Sequence, residues 1–252
     1  MTDTAWEMGL SVFGISEHSP FPQDEEAGMK SSDVANYARA MENCREAYRG
    51  RMEVLHGIEQ DIYSPPPDRT YDYIIGSVHY VIHEGRYCCV DLSDRSVQQT
   101  LREVYHGDGL AFAEEYYATV AQVVRKTGCD IIGHFDLIMK FNEGNRLFDA
   151  GSRRYREAVM QAIEALLPEG KPFEINSGAV ERGYRSTLYP EAWILRELYA
   201  HGAKILFSSD AHRRENICFG FDRAEELARN CGFTTVMVLE NGVWQERPLG
   251  EE

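Results

Sequence analysis

Lys204-Ile205-Leu206-Phe207-Ser208-Ser209-Asp210-Ala211-His212 decides how the rest of the chain is read. Its first four residues, three aliphatic or aromatic behind a long aliphatic stem, predict a buried strand. The polar residues that follow fall where a strand gives way to a loop. An Asp and a His two apart at a strand's C-terminal end can both face one cavity. A carboxylate oxygen and an imidazole nitrogen are common ligands of divalent metals such as zinc or manganese. A single pair of this kind carries little weight, and the same arrangement recurs along the chain.

Working outward, Ser11 to Ser16 predicts a short strand after a helical segment, with Glu17 and His18 at its end. Ser32 to Arg49 predicts a helix with an apolar stripe, stopped by Gly50. Met52 to Ile58 is the next predicted strand, with Glu59, Gln60 and Asp61 at its end, and Tyr71 to Val78 ends at His79. Residues 85–93 are an irregular excursion, followed by helices over 96–105 and 110–126. Cys129 to Gly133 reads as a strand ending at His134, and Lys171 to Asn176 as another, leading into a polar loop over 177–187. Helices over 152–167, 191–200 and about 222–230 and a final strand over 235–239 complete the pattern.

Strands that alternate with helices predict a parallel sheet with helical crossovers. Seven strand-like runs favour a closed or nearly closed α/β barrel in one domain. In such a barrel every strand's C-terminal end emerges on one face. That face would collect His18, Glu59, His79, His134, Asp210 and His212, more ligands than one tetrahedral metal needs. The expectation is two or three divalent ions, zinc, manganese or iron, with Glu59 or Asp210 bridging. Such ions polarise a phosphoryl oxygen and bring the pKa of a bound water to about 7. Metal-assisted hydrolysis of a phosphate ester follows. Lys140, Arg182 and Arg185 are candidate cations for the phosphate, and Asn176 and Glu174 candidate hydrogen-bonding partners. Four of the eight histidines, His56, His83, His106 and His201, are read as structural.

Composition bounds the partners. Lys and Arg total 26 against 41 Asp and Glu, a formal charge of −15, which repels nucleic-acid backbones. No apolar run approaches the ~20 residues of a membrane span. The six cysteines have no C-x-x-C spacing and are read as reduced thiols of a cytoplasmic protein.

Taken together, Ile15-Ser16-Glu17-His18-Ser19-Pro20, Gly57-Ile58-Glu59, Gly76-Ser77-Val78-His79, Gly133-His134-Phe135-Asp136 and Ser208-Ser209-Asp210-Ala211-His212 resemble the successive motifs of the polymerase-and-histidinol-phosphatase (PHP) superfamily. Their order and spacing are similar to those of its histidinol-phosphate phosphatases. The resemblance implies a distorted (β/α)7 barrel, a trinuclear metal site and hydrolysis of L-histidinol phosphate in histidine biosynthesis. It further implies that Glu59 bridges two metals, that His79 and His134 complete one site, and that Asp210, His212 and His18 serve the others. Arg182 or Arg185, with Lys140, would hold the phosphate. The chain departs from the family pattern at its front, where a strand carrying His-x-His and a Ser-Asp-Gly-like loop are expected and neither is found. The expectation is therefore one PHP-type domain over residues 1–252, truncated at its N-terminus and lacking the first strand, as from a start codon assigned late. Its Glu59–His79–His134 site would be whole, and the neighbouring sites short of two ligands and one ligand. Two other readings stand beside this one: a phosphoesterase for another small phosphate ester, and a metal-binding pseudoenzyme.

Overall fold

In the computed structural model, which describes residues 1–24, 26 and 28–250, the chain folds around a six-stranded parallel sheet. The elements run α1 (Thr2–Glu7), β1 (Val12–His18), α2 (Val34–Tyr48), β2 (Glu53–Asp61), β3 (Tyr73–Ser77), β4 (Tyr80–His83), β5 (Arg86–Cys89), α3 (Asp94–Glu103), α4 (Gly109–Val120), α5 (Val123–Thr127), β6 (Ile131–Ile132), α6 (Arg153–Leu166), β7 (Phe173–Asn176), α7 (Gly178–Glu181), α8 (Ala192–Ala200), β8 (Ile205–Ser208), α9 (Phe221–Cys231), β9 (Thr235–Glu240) and β10 (Val243–Pro248).

The sheet order is β1-β2-β3-β6-β7-β8, all parallel and in chain order. Each crossover moves one place sideways, which curls the sheet into a half-barrel. Among the described residues β1 pairs only with β2, and β8 only with β7. β9 packs beside β8 but takes its ladder partner from β10.

Burial follows position in the sheet. All but the first of the nine β2 residues are buried, as expected of a parallel strand covered on both faces. The edge strand β1 has no buried residue. Helices cover the outer face through a core that includes Phe112, Val159, Ile163, Leu195 and Leu198. Inside the curl, Leu55, Tyr73, Ile131, Leu206, Met237 and Leu239 form a separate apolar cluster. Helix starts are fixed locally: Ser93, Asp108 and Ser152 each accept a backbone N–H of the first turn through the side chain, from Ser96, Ala111 and Tyr155.

Five features differ from the sequence expectation. β2 continues through Asp61, so Glu59 lies within the strand rather than beyond it. Residues 85–93 contain half of an antiparallel hairpin, β4–β5, and β9–β10 is a second hairpin. The β9–β10 turn is Asn241-Gly242, both at positive φ (50° and 72°), a strong hairpin signal. It is masked because β10 is largely polar. The predicted strand over 129–133 shrinks to two residues, and the predicted loop over 177–187 holds the short helix α7.

Candidate metal centre

The C-terminal ends of the sheet strands converge on the mouth of the half-barrel. β1 delivers His18, β2 Glu59, the end of β3 His79, the end of β6 His134, and the end of β8 Asp210 and His212. A cavity of about 660 Å³ runs from this mouth into the curl. His18, Glu59, His134, Asn176, Asp210 and His212 line its polar end, and Leu55, Ile131, Leu206 and Met237 its apolar end.

Glu59 is the hub. Its Oε1 is 2.9 Å from His134 Nε2 and 3.4 Å from His79 Nε2, and its Oε2 is 3.6 Å from His18 Nε2. His18, Glu59 and His79 each offer one ligating atom, all within 4.8 Å of one another. Ligands about 2.1 Å from a tetrahedral ion stand about 3.4 Å apart, so the Glu59–His79 and Glu59–His18 spacings suit a divalent cation. The donor set of imidazole nitrogen and carboxylate oxygen suits zinc, manganese and iron alike.

The surroundings hold the donors in place. His79 Nδ1 lies 3.2 Å from Asp61 Oδ2, which also accepts the His79 backbone N–H at 3.0 Å. A carboxylate on Nδ1 fixes the ring so that Nε2 faces the site, the usual support for a metal-bound imidazole. Ser77 Oγ donates to Glu59 Oε1 at 2.7 Å, and the backbone N–H of His134 donates to Glu174 Oε2 at 2.6 Å. Burial by itself would push the Glu59 carboxyl up, but His18, His134 and His79 outweigh it and hold the group well below the usual carboxylate range. Burial likewise opposes charge on His79 and His134. The carboxylates of Asp61 and Glu59 overcome it at His79, and that of Glu59 at His134, so both imidazoles are raised.

At the other side of the mouth the partner is an arginine. Arg182 donates from one terminal nitrogen to Asp210 Oδ2 at 2.8 Å and from the other to the Asp210 carbonyl at 3.0 Å, and His212 Nδ1 lies 3.0 Å from both that second nitrogen and the Asp210 carbonyl. Of the remaining candidates Lys140 is engaged elsewhere, and Arg185 only in part, since its Nε and one terminal nitrogen are buried without a hydrogen-bond partner. Lys140 is buried, with Nζ donating to the carbonyl and Oδ2 of Asp91 at 2.8 and 3.0 Å. Arg185 is turned inward, donating to Thr187 and Glu191 and lying 5.0 Å from the centroid of the Tyr189 ring. Asn176 Oδ1 accepts from the Gly178 N–H at 2.8 Å, which leaves its amide NH2 to offer a ligand. Arg182, Arg185 and Lys140 do not line the cavity. His83 lies apart, 3.0 Å from Glu115 and against Tyr105.

Sequence reasoning missed Ser77 and Asp91, and placed Asp61 only at the end of the strand that carries Glu59. Ser77 stands two residues before His79, so its place beside the histidine was visible. That it reaches Glu59 depends on the β2–β3 register, in which Asp61 pairs with Ser77.

A family model for the PHP domain matches residues 1–178. The chain is similar to the probable histidinol-phosphatase of Schizosaccharomyces pombe, 24% identical over 258 residues that cover 94% of this chain and 82% of that protein. It is similar to the histidinol-phosphatase of Bacillus subtilis, 23% identical over 242 residues that cover 87% of this chain and 88% of the relative. Among solved structures, the histidinol phosphate phosphatase of Lactococcus lactis, complexed with zinc, L-histidinol and phosphate, matches with a TM-score of 0.72 at 17% identity. That match covers 96% of this chain and 90% of the other. At that identity the likeness is one of fold.

Proposed function

The chain belongs to the PHP domain family, and from that premise we propose that it is a metal-dependent phosphomonoesterase that hydrolyses L-histidinol phosphate to L-histidinol and phosphate. The observation that carries this reading is the convergence of His18, Glu59 and His79, with His134 on the same carboxylate, at the mouth of a cavity large enough for a small ester. The two curated relatives bear the name of that activity.

In this reading Glu59, His79, His134 and His18 hold the metal at one end of the mouth. Divalent cations bound there would polarise the phosphoryl oxygen and make hydroxide available near pH 7. The chain's own residues do the rest. Asp61 and Ser77 keep His79 and Glu59 in position. Glu59 stays ionised despite its burial because three imidazoles surround it. The Asn176 amide NH2 is suited to a phosphate oxygen at the cavity, whereas Lys140, Arg182 and Arg185 would reach one only by leaving Asp91, Asp210 and Glu191.

The test is phosphate release from histidinol phosphate with manganese or zinc supplied. Turnover that disappears in Glu59→Ala, with the melting transition retained, supports the reading. A chain that binds about one ion and turns over no phosphate ester is a metal-binding protein without this activity, and the proposal falls.

A further inference from the structure

Asp210 and His212 were read from the sequence as metal ligands, yet a protein cation already lies against Asp210 Oδ2 and His212 Nδ1. The Arg182 guanidinium meets the Asp210 carboxylate, the Asp210 carbonyl and His212 Nδ1 at once, at 2.8, 3.0 and 3.0 Å. Those are an oxygen, an oxygen and a nitrogen arranged around one positive centre, the donor set a divalent ion would take. A guanidinium stays charged at every relevant pH and presents its donors in a fixed fork. His212 Nδ1 lies 3.0 Å from both the Arg182 guanidinium and the Asp210 carbonyl, so the ring nitrogen that faces Asp210 is engaged locally.

The backbone is built for this contact. Asp210 has φ of +47°, in the left-handed region that is uncommon outside glycine and that aspartate and asparagine enter more readily than other residues. Gly178 opens α7 directly against the pair. A Cβ there would come within 2.5 Å of Asp210 Oδ2 and 2.8 Å of the Arg182 guanidinium, so the absence of a side chain is what lets the two meet. Arg182 follows directly after α7, and its backbone N–H bonds to the Gly178 carbonyl at 3.0 Å. One short turn thus supplies both the space and the cation.

We propose that Arg182 is the resident cation of the Asp210–His212 end of the mouth, and that it confines bound metal to the Glu59 end. The inference rests on the metal-dependent reading above and deepens it. The protein would hold fewer ions than its count of candidate ligands suggests, and metal would enter beside Asp210 only when the guanidinium is withdrawn.

Metal content per chain, measured by elemental analysis after dialysis against zinc or manganese and by calorimetric titration of the metal-free protein, tests this. The wild type should hold about one ion. Asp210→Asn should leave that count unchanged, and Glu59→Gln should abolish it. Arg182→Met should add one ion, and Arg182→Met/Asp210→Asn should lose the added ion again. Arg182→Lys retains a positive charge and should stay at the wild-type count, which separates loss of the cation from damage to the fold. An ion lost from the wild type on Asp210→Asn overturns the inference alone, as does an unchanged count in Arg182→Met. No ion in any of the proteins overturns the metal-dependent reading and the inference with it.

Discussion

The two ends of the mouth carry similar residues in opposite circumstances. At the Glu59 end the side chains of Glu59, His79 and His134 are 10%, 12% and 7% exposed, and each imidazole meets a carboxylate. At the Asp210 end His212 is 56% exposed and Asp210 21%, and the partner is an arginine. For these residues the difference comes from the sheet, whereas His18, at the end of the edge strand β1, is 36% exposed. β2, β3 and β6 have ladder partners on both sides, whereas β8 is an edge. A strand held from both sides fixes the direction of its side chains before any ligand arrives. At an edge the chain turns into solvent and neutralises its own charge locally. Similar residue types therefore do different work at the two ends.

Glu59→Gln is the harshest test of this contrast. It keeps the shape of the side chain and removes the charge that three imidazoles share. Phosphate release should fall by about 10²–10³-fold or more, the scale of losing a charge placed at the reacting centre. An equal fall for His212→Ala would erase the distinction between the two ends. Asp61→Asn should come next. It leaves the Glu59 carboxylate intact but weakens the support on His79 Nδ1, and metal affinity by calorimetry should drop about 10–100-fold. An unchanged affinity would mean that the ring is held by packing alone. His212→Ala should do less than either. The group is exposed and its partner is an arginine, so the change in metal affinity should stay within the ~0–1 kcal/mol typical of exposed charged contacts.

The smallest effect sharpens the contrast within one strand. His56 lies three residues before Glu59 on β2, between the rings of Tyr37 and Tyr71, with centroids 4.8 and 4.7 Å away. Burial first, and Arg45 second, hold its imidazole below the usual histidine range, against the opposing pull of Asp72. The unfolded chain takes up a proton near pH 6.5 and the folded chain does so only at lower pH. The stability tied to His56 is therefore present above about pH 6.5 and is lost as the pH falls below it. In His56→Phe, unfolding measured between pH 7 and 5 should lose less stability than in the wild type. A profile that stays parallel to the wild type would show that His56 takes up its proton as readily in the folded chain as in the unfolded one.

Much of this was legible in the chain. Apolar runs that stop at His79, His134 and Asp210 announce parallel strands with ligands at one end, because buried strands must be continuous and their functional ends polar. What escaped depends on contacts between distant segments. The strand β10 reads Val243-Trp244-Gln245-Glu246-Arg247-Pro248 and lacks the apolar alternation that marks a strand, although the Asn241-Gly242 turn before it was a fair warning. Asp61 looked like a loop residue because β2 was expected to stop at Ile58. Three more residues of ladder place it under His79. Arg182 was read as a phosphate cation from its residue type alone. Only the approach of α7 to the end of β8 shows that its guanidinium is engaged with Asp210.

The edge position of β1 has a consequence of its own. Along a strand with one parallel neighbour, only alternate amides find a carbonyl. On β2, Gly57 to Glu59 lie between β1 and β3, and their amides are bonded to one side or the other. In heavy water, β1 should therefore exchange its protons in a stripe, one protected and the next fast, while the Gly57 to Glu59 stretch of β2 exchanges late and as a block.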